Sequence, residues 1–135
     1  RDYFINATVH GIDIFKEAMI IDEDRIKTYV CNQSKPDELQ QLANNIGKEL
    51  NIIIDDGSHE IEHQVISFIE LNKHLKKGGL YVIECIQHKS IIPIINLTAF
   101  KEHKEFIENN FEITKYDTRK DSNKSDDFMV VFKKL

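Results

Sequence analysis

The residues richest in chemistry fall in one turn, Asp55-Asp56-Gly57-Ser58-His59-Glu60, directly after the apolar run Ile52-Ile53-Ile54. Two carboxylates, a glycine that permits a sharp turn and a histidine can together hold a hydroxyl substrate, a divalent cation and a general base. Extended to His63, the same stretch also fits the H-E-x-x-H spacing, in which two histidines one turn apart on a helix ligate zinc and the glutamate polarises a bound water. That use needs both histidines inside a helix. His59 follows Asp-Asp-Gly-Ser straight after an apolar run, and the third histidine of the extended pattern would fall at Ile69. Glu84 could still serve as a third ligand, so zinc hydrolysis stays open beside the first reading. Asp55 and Asp56 also have a plainer use, because short acids form turns and cap helices.

Positioning these side chains requires strand ends that converge, and the chain alternates in the way that supplies them. The run Thr8–Ile14 reads as a buried strand delivering Asp13 at its tip, and Arg25–Cys31 as a second strand ending at Asn32-Gln33-Ser34. Ser34 reads as an N-cap, with Pro36 in the first turn, for a helix striped by Leu39, Leu42, Ala43 and Ile46 and ending near Gly47. Asn51–Asp55 is a third strand. From Glu60 a helical stripe runs through Ile61, Val65, Phe68, Ile69 and Leu75 to a stop at Lys76-Lys77-Gly78-Gly79. Leu80–Glu84 is a fourth strand, again with an acid at its tip. A loop or short helix, a helix from about Thr98 to Asn110, and two strands, 111–118 and 127–134, joined by a polar turn at 119–126, complete the pattern.

Such alternation predicts an α/β fold with a mostly parallel sheet and a C-terminal antiparallel strand pair. In such sheets the carboxyl ends of the strands form the binding crevice, and Asp13, Asn32, Gln33, Asp55, Asp56, His59 and Glu84 all map there. Asp56 and Glu84, from neighbouring strands, could share a divalent cation through oxygen. Polar residues also gather in strand-tip loops without any function. His10, His74, His88 and His103 are assigned surface or loop positions.

Length and composition set the outer bounds. With 135 residues, of which 41% are hydrophobic, the chain can bury one core, and residues 1–135 are expected to form a single domain. A net charge of −5 with scattered lysines argues against a sequence-independent nucleic-acid binder. The longest apolar patch, Ser90–Leu97, is broken by Pro93 and is too short to cross a bilayer. Cys31 and Cys85, the only two cysteines, make no CxxC pair and suggest a reducing, cytoplasmic setting without a disulfide between them.

The segments His10–Ile14, Asn32–Ser34, Ile52–Gln64 and His74–Glu84 ("HGIDI", "NQS", "IIIDDGSHEIEHQ", "HLKKGGLYVIE") occur in an order and spacing that resemble class I S-adenosylmethionine-dependent methyltransferases. Within that class they resemble the macrocin and mycinamicin sugar O-methyltransferase group, which is cephalosporin hydroxylase-like. The resemblance covers Tyr3 to Glu84 well, and beyond it only in a helix and a final strand pair. It implies a Rossmann-like sheet with S-adenosylmethionine at the strand tips. Asp13 would hold the ribose hydroxyls, Asn32 and Gln33 would border the adenine, and Asp55 would line the methionine end. Asp56 and Glu84 would bind Mg²⁺, and His59 would take the proton of a sugar hydroxyl as it attacks the methyl group.

Two departures accompany the resemblance. Cys85 stands where members with the metal site have Asp, and Mg²⁺ prefers oxygen to thiolate. The five glycines, Gly11, Gly47, Gly57, Gly78 and Gly79, include no G-x-G, so the first strand and its glycine-rich loop are expected to be missing. Loss of that central strand would expose apolar edges. The expected activity is methylation of a hydroxyl on a sugar or sugar-containing small molecule, in a chain that can form a homo-oligomer. The alternative is an inactive methyltransferase remnant serving as an interaction module.

Overall fold

Apolar runs punctuated by polar turns form strands that alternate with helices, and the computed structural model describes them over residues 4–20, 23–47, 49–119 and 127–135. Strand β1 (Val9–Asp13) pairs in parallel with β2 (Ile26–Val30), Val9 opposite Ile26 and Asp13 opposite Val30. Helix α1 (Pro36–Ile46) leads to β3 (Leu50–Asp55), and α2 (Ile61–Leu71) to β4 (Leu75–Ile83). After α3 (His88–Ile95) and α4 (Lys104–Asn110) the chain closes with β5 (Phe111–Asp117) and β6 (Phe128–Lys134). β3 and β4 are parallel, while β6 runs antiparallel to both β4 and β5. The expected mostly parallel sheet with an antiparallel C-terminal pair is therefore present.

The hydrogen-bonded ladder comes in two pieces, β1-β2 and β3-β4-β6-β5. Among the described residues, β1 and β3 each have a strand on one edge only. Ile52 and Ile54, on one face of β3, are 43% and 61% exposed, whereas Asp55 on the other face is buried. The pieces are tied by α1 packing on α2 and by a small apolar cluster of Cys31, Leu39 and Leu42 against Ile46, Ile66 and Leu71.

The main core lies between β4-β6-β5 and the helices α2, α3 and α4. Phe68 on α2 is its hub, with ring centroids 4.9 Å from Tyr81, 4.6 Å from Phe132 and 5.3 Å from both Phe100 and Phe111. Tilted and edge-on pairs of this kind add roughly 0.5 to 1.5 kcal/mol each beyond the area they bury.

Four local expectations are corrected. Lys35, not Ser34, precedes the first turn of α1, because the Ser34 hydroxyl donates to Asn32 Oδ1 at 2.8 Å instead. Leu75 does not extend the helical stripe of α2. It pairs with Leu50 as the first residue of β4, and since Ile52 pairs with Leu80, residues Lys76–Gly79 bulge out of the ladder with Gly78 at φ +75°. The helix expected from Thr98 to Asn110 is broken at Lys101, where φ is +50°. His74 is buried, its Nδ1 3.2 Å from the Gly47 carbonyl oxygen.

Of the turn expected at 119–126, residues 120–126 lie outside the described residues, as do residues 1–3 of the chain. Cys31 and Cys85 form no disulfide. No helix among the described residues is long and apolar enough to cross a membrane.

Candidate active site at the strand tips

The ends of β3 and β4 lie side by side, fixed by the Glu84 N–H donating to the Asp55 carbonyl at 2.9 Å. This parallel pairing sets the turn after β3 beside the turn after β4. Asp55 ends its strand pointing inward, and the residue is 6% exposed. It accepts from Gln33 Nε2 at 2.6 Å and weakly from the Gly57 N–H at 3.4 Å, and the Tyr81 hydroxyl approaches at 3.5 Å. Burial pushes its pKa up from 3.8 to about 6, against the pull of these hydrogen bonds and of the nearby His59. Burial raises the pKa of Tyr81 as well, and the Asp55 charge adds to the shift.

Gln33 uses both ends of its amide. Besides donating to Asp55, its Oε1 accepts the Ser58 N–H at 3.0 Å, so the tip of β2 is strapped to the turn after β3. Gly57 leaves room for this strap, since a Cβ at that position would overlap Gln33 Oε1 and the glutamine side chain would have to move. Asn32 is also engaged locally, its Oδ1 accepting from the Ser34 N–H at 2.9 Å and its own N–H donating to Glu38 Oε2 at 2.8 Å. Asp13 stands at the tip of the two-stranded piece, with Oδ1 accepting the Phe15 N–H at 2.8 Å.

His59 sits in the turn, two residues before α2, at φ +59°, a left-handed backbone that only the surrounding contacts sustain in a non-glycine residue. Its Nε2 is 3.2 Å from Asp56 Oδ1. A carboxylate only accepts, so Nε2 carries the proton of this bond, and in the neutral ring Nδ1 then holds the lone pair. His63 is on the helix and turned to another partner, its Nδ1 2.8 Å from Ser58 Oγ. The two histidines therefore do not form the helical zinc pair that the spacing allowed.

The residues that do converge are Asp56, His59 and Cys85, each with one ligand atom within 4.8 Å of the other two. The Glu84 carboxylate is not in this group. Cys85, which begins the turn after β4, also has a left-handed backbone, at φ +49°. Its position in sequence was visible as a departure from the resemblance, but its approach to His59 was not. This donor set, one carboxylate, one imidazole and one thiol, does not fit Mg²⁺, a hard ion that takes oxygen ligands. Gln64, wholly buried on α2, donates to the Glu84 carbonyl at 3.4 Å, and its Oε1 has no partner among the described residues. Two surface clefts, one beside Ile95–Thr98 and one between α2 and Thr98–His103, have none of Asp13, Asn32, Gln33, Asp55, Asp56, His59 and Glu84 in their lining.

No family model matches the chain. Over 87 residues it is 44% identical to the 8-demethyl-8-alpha-L-rhamnosyl tetracenomycin-C 2'-O-methyltransferase of Streptomyces olivaceus, a match covering 64% of this chain and 22% of that protein. It is 42% identical over 84 residues to the demethylmacrocin O-methyltransferase of Streptomyces fradiae, covering 62% of this chain and 21% of the relative. The chain thus spans about a fifth of the length of these curated relatives. The fold resembles the solved MycE methyltransferase of the mycinamycin pathway, in complex with Mg, SAH and mycinamycin VI, with a TM-score of 0.70 and 24% identity over 94% of this chain and 36% of that one. The architecture is a Rossmann-like methyltransferase fold, and in sequence the chain resembles the sugar O-methyltransferases.

Proposed function

We propose that this chain carries the strand-tip half of an S-adenosylmethionine-dependent methyltransferase site, and that the acceptor is a hydroxyl on a sugar-containing small molecule. The observation that carries the reading is the His59–Asp56 pair, which holds an imidazole with its Nδ1 lone pair available at the tip of β3. The donor class and the acceptor class follow the sugar O-methyltransferases that the chain resembles and the SAH that the MycE structure holds.

S-adenosylmethionine, when bound, supplies a methyl group on a positively charged sulfur, which the acceptor oxygen takes as its own proton departs. Asp13, at the tip of β1, keeps one carboxylate oxygen beyond its bond to Phe15 for the ribose hydroxyls, and Asn32 borders the adenine side. Gln33 borders the adenine with Asn32 and donates to Asp55, which lines the methionine end. His59 accepts the hydroxyl proton at Nδ1, while Asp56 holds the other ring nitrogen and stabilises the imidazolium that forms. General-base help of this kind is worth about 10² to 10⁴ in rate. Because the converging donors do not suit Mg²⁺, no step is assigned to that ion.

The test is release of S-adenosylhomocysteine when the protein is supplied with S-adenosylmethionine and an O-demethylated glycoside. His59→Ala should lower turnover by about 10² to 10⁴ while leaving donor affinity unchanged. Equal turnover in the variant would remove His59 from its role.

One observation favours a second reading, an interaction module without turnover. Among the described residues β3 has one open edge, and Ile52 and Ile54 are exposed on one of its faces, which suits a strand from a partner. This module need not bind S-adenosylhomocysteine, whereas the methyltransferase site must.

A further inference from the structure

We propose that Asp56, His59 and Cys85 form a site for a thiophilic divalent cation of the Zn²⁺ class, distinct in its ligands from both the Mg²⁺ set that the resemblance implies and the His59/His63 spacing in the sequence. The three donors come from two turns that parallel pairing sets side by side, those after β3 and β4. Two ligands held at about 2.0 to 2.3 Å from a tetrahedral ion stand roughly 3.3 to 3.8 Å apart. The three atoms here already lie within 4.8 Å of one another, and Asp56 and His59 are 3.2 Å apart. A side-chain adjustment of about 1 Å therefore completes the geometry.

The donor chemistry selects the ion. Thiolate and imidazole favour Zn²⁺ and its neighbours in the transition series over Mg²⁺. Binding breaks the Cys85 S–H bond, forms the metal–sulfur bond and releases the proton to solvent, so affinity falls as pH is lowered. With three protein ligands the ion keeps an open position, as in a solvent-accessible site rather than a closed structural one. Asp56 is exposed and His59 and Cys85 are partly so, which gives the ion a path in.

The site does not depend on methyl transfer, but it meets that reaction at one atom group. An ion bound at His59 Nε2 takes the place of the proton there, which passes to Nδ1, so the ring can no longer accept a proton from a hydroxyl. Thiophilic ions are therefore expected to inhibit any His59-dependent activity, and chelators to restore it.

The experiment is titration of Co²⁺, as a spectroscopic stand-in for Zn²⁺, into the folded reduced chain. A saturable thiolate-to-cobalt charge-transfer band at one equivalent, bleached by Zn²⁺ and indifferent to excess Mg²⁺, is the expected result. Cys85→Ser and His59→Ala should each abolish the saturable band, and Cys31→Ser should keep it. Absence of the band in the folded wild-type chain, or its survival unchanged in both Cys85→Ser and His59→Ala, would overturn the proposal. Binding of S-adenosylhomocysteine without metal reads the methyltransferase proposal separately, so either can fail alone.

Discussion

Gln33 Nε2 donates to Asp55 Oδ1 at 2.6 Å across 22 residues of sequence, joining the tip of the two-stranded piece to the tip of β3. The bond goes to a carboxylate that the fold buries, and that burial has a pH signature. The Asp55 pKa rises from 3.8 to about 6 on folding. Between those values the folded chain holds a proton that the unfolded chain has released, so stability falls as pH rises through the window. The loss is complete above pH ~6 and amounts to about 3 kcal/mol from this group. Urea unfolding of the wild type and of Asp55→Asn at pH 4 and pH 7 should show the wild type losing about 2 kcal/mol relative to the variant. Parallel pH profiles would show that Asp55 is not buried in this way.

The strap itself can be tested with a double-mutant cycle. Gln33→Ala removes the amide, and Gly57→Ala places a methyl group where Gln33 Oε1 lies. Each single change should lower stability by about 1 to 3 kcal/mol through lost bonds to Asp55 and Ser58. Because both act on one contact, the double variant should lose little more than the worse single one. Additive losses would mean that the two residues are not coupled.

Phe68 gives a stability test of the core. Its ring meets Tyr81, Phe100, Phe111 and Phe132, and Phe68→Ala should cost about 3 to 5 kcal/mol. Ile92, on α3 and 60% exposed, serves as a control whose replacement by Ala should stay within about 1 kcal/mol. Chemical denaturation of the two variants gives both numbers.

Gln64 is a different case. Its buried Oε1 has no partner among the described residues, and its one bond, to the Glu84 carbonyl, is long at 3.4 Å. Gln64→Met removes a weak bond and an unsatisfied acceptor together, so stability should change by less than about 1 kcal/mol. A loss of several kcal/mol would show that Gln64 is held by more than these contacts.

The strands and the residues at their tips were legible in the sequence because the strands of such sheets are short apolar runs ended by a polar residue, although β1, expected to be buried, has Val9 38% and Ile12 39% exposed. Asp13, Asp55 and Glu84 could be placed on that basis alone. The start of β4 was not, because Leu75 continues the helical spacing of Phe68 and Ile69 and only its pairing with Leu50 makes it a strand residue. Contacts between distant turns were beyond reach for the same reason. A glutamine after a strand does not announce an aspartate 22 positions on, and Cys85 could be seen as an oddity but not as a neighbour of His59. His59 and His63 show the converse, a spacing that suggests a helical pair while the turn at Gly57 takes the first histidine off the helix.

The measurement closest to the central claim is calorimetric titration of S-adenosylhomocysteine into the folded wild-type chain and into Asp13→Ala, both without added metal. The account predicts saturable one-to-one binding to the wild type and marked weakening in the variant. No binding by a wild-type chain shown to be folded would contradict it and leave the interaction-module reading in place.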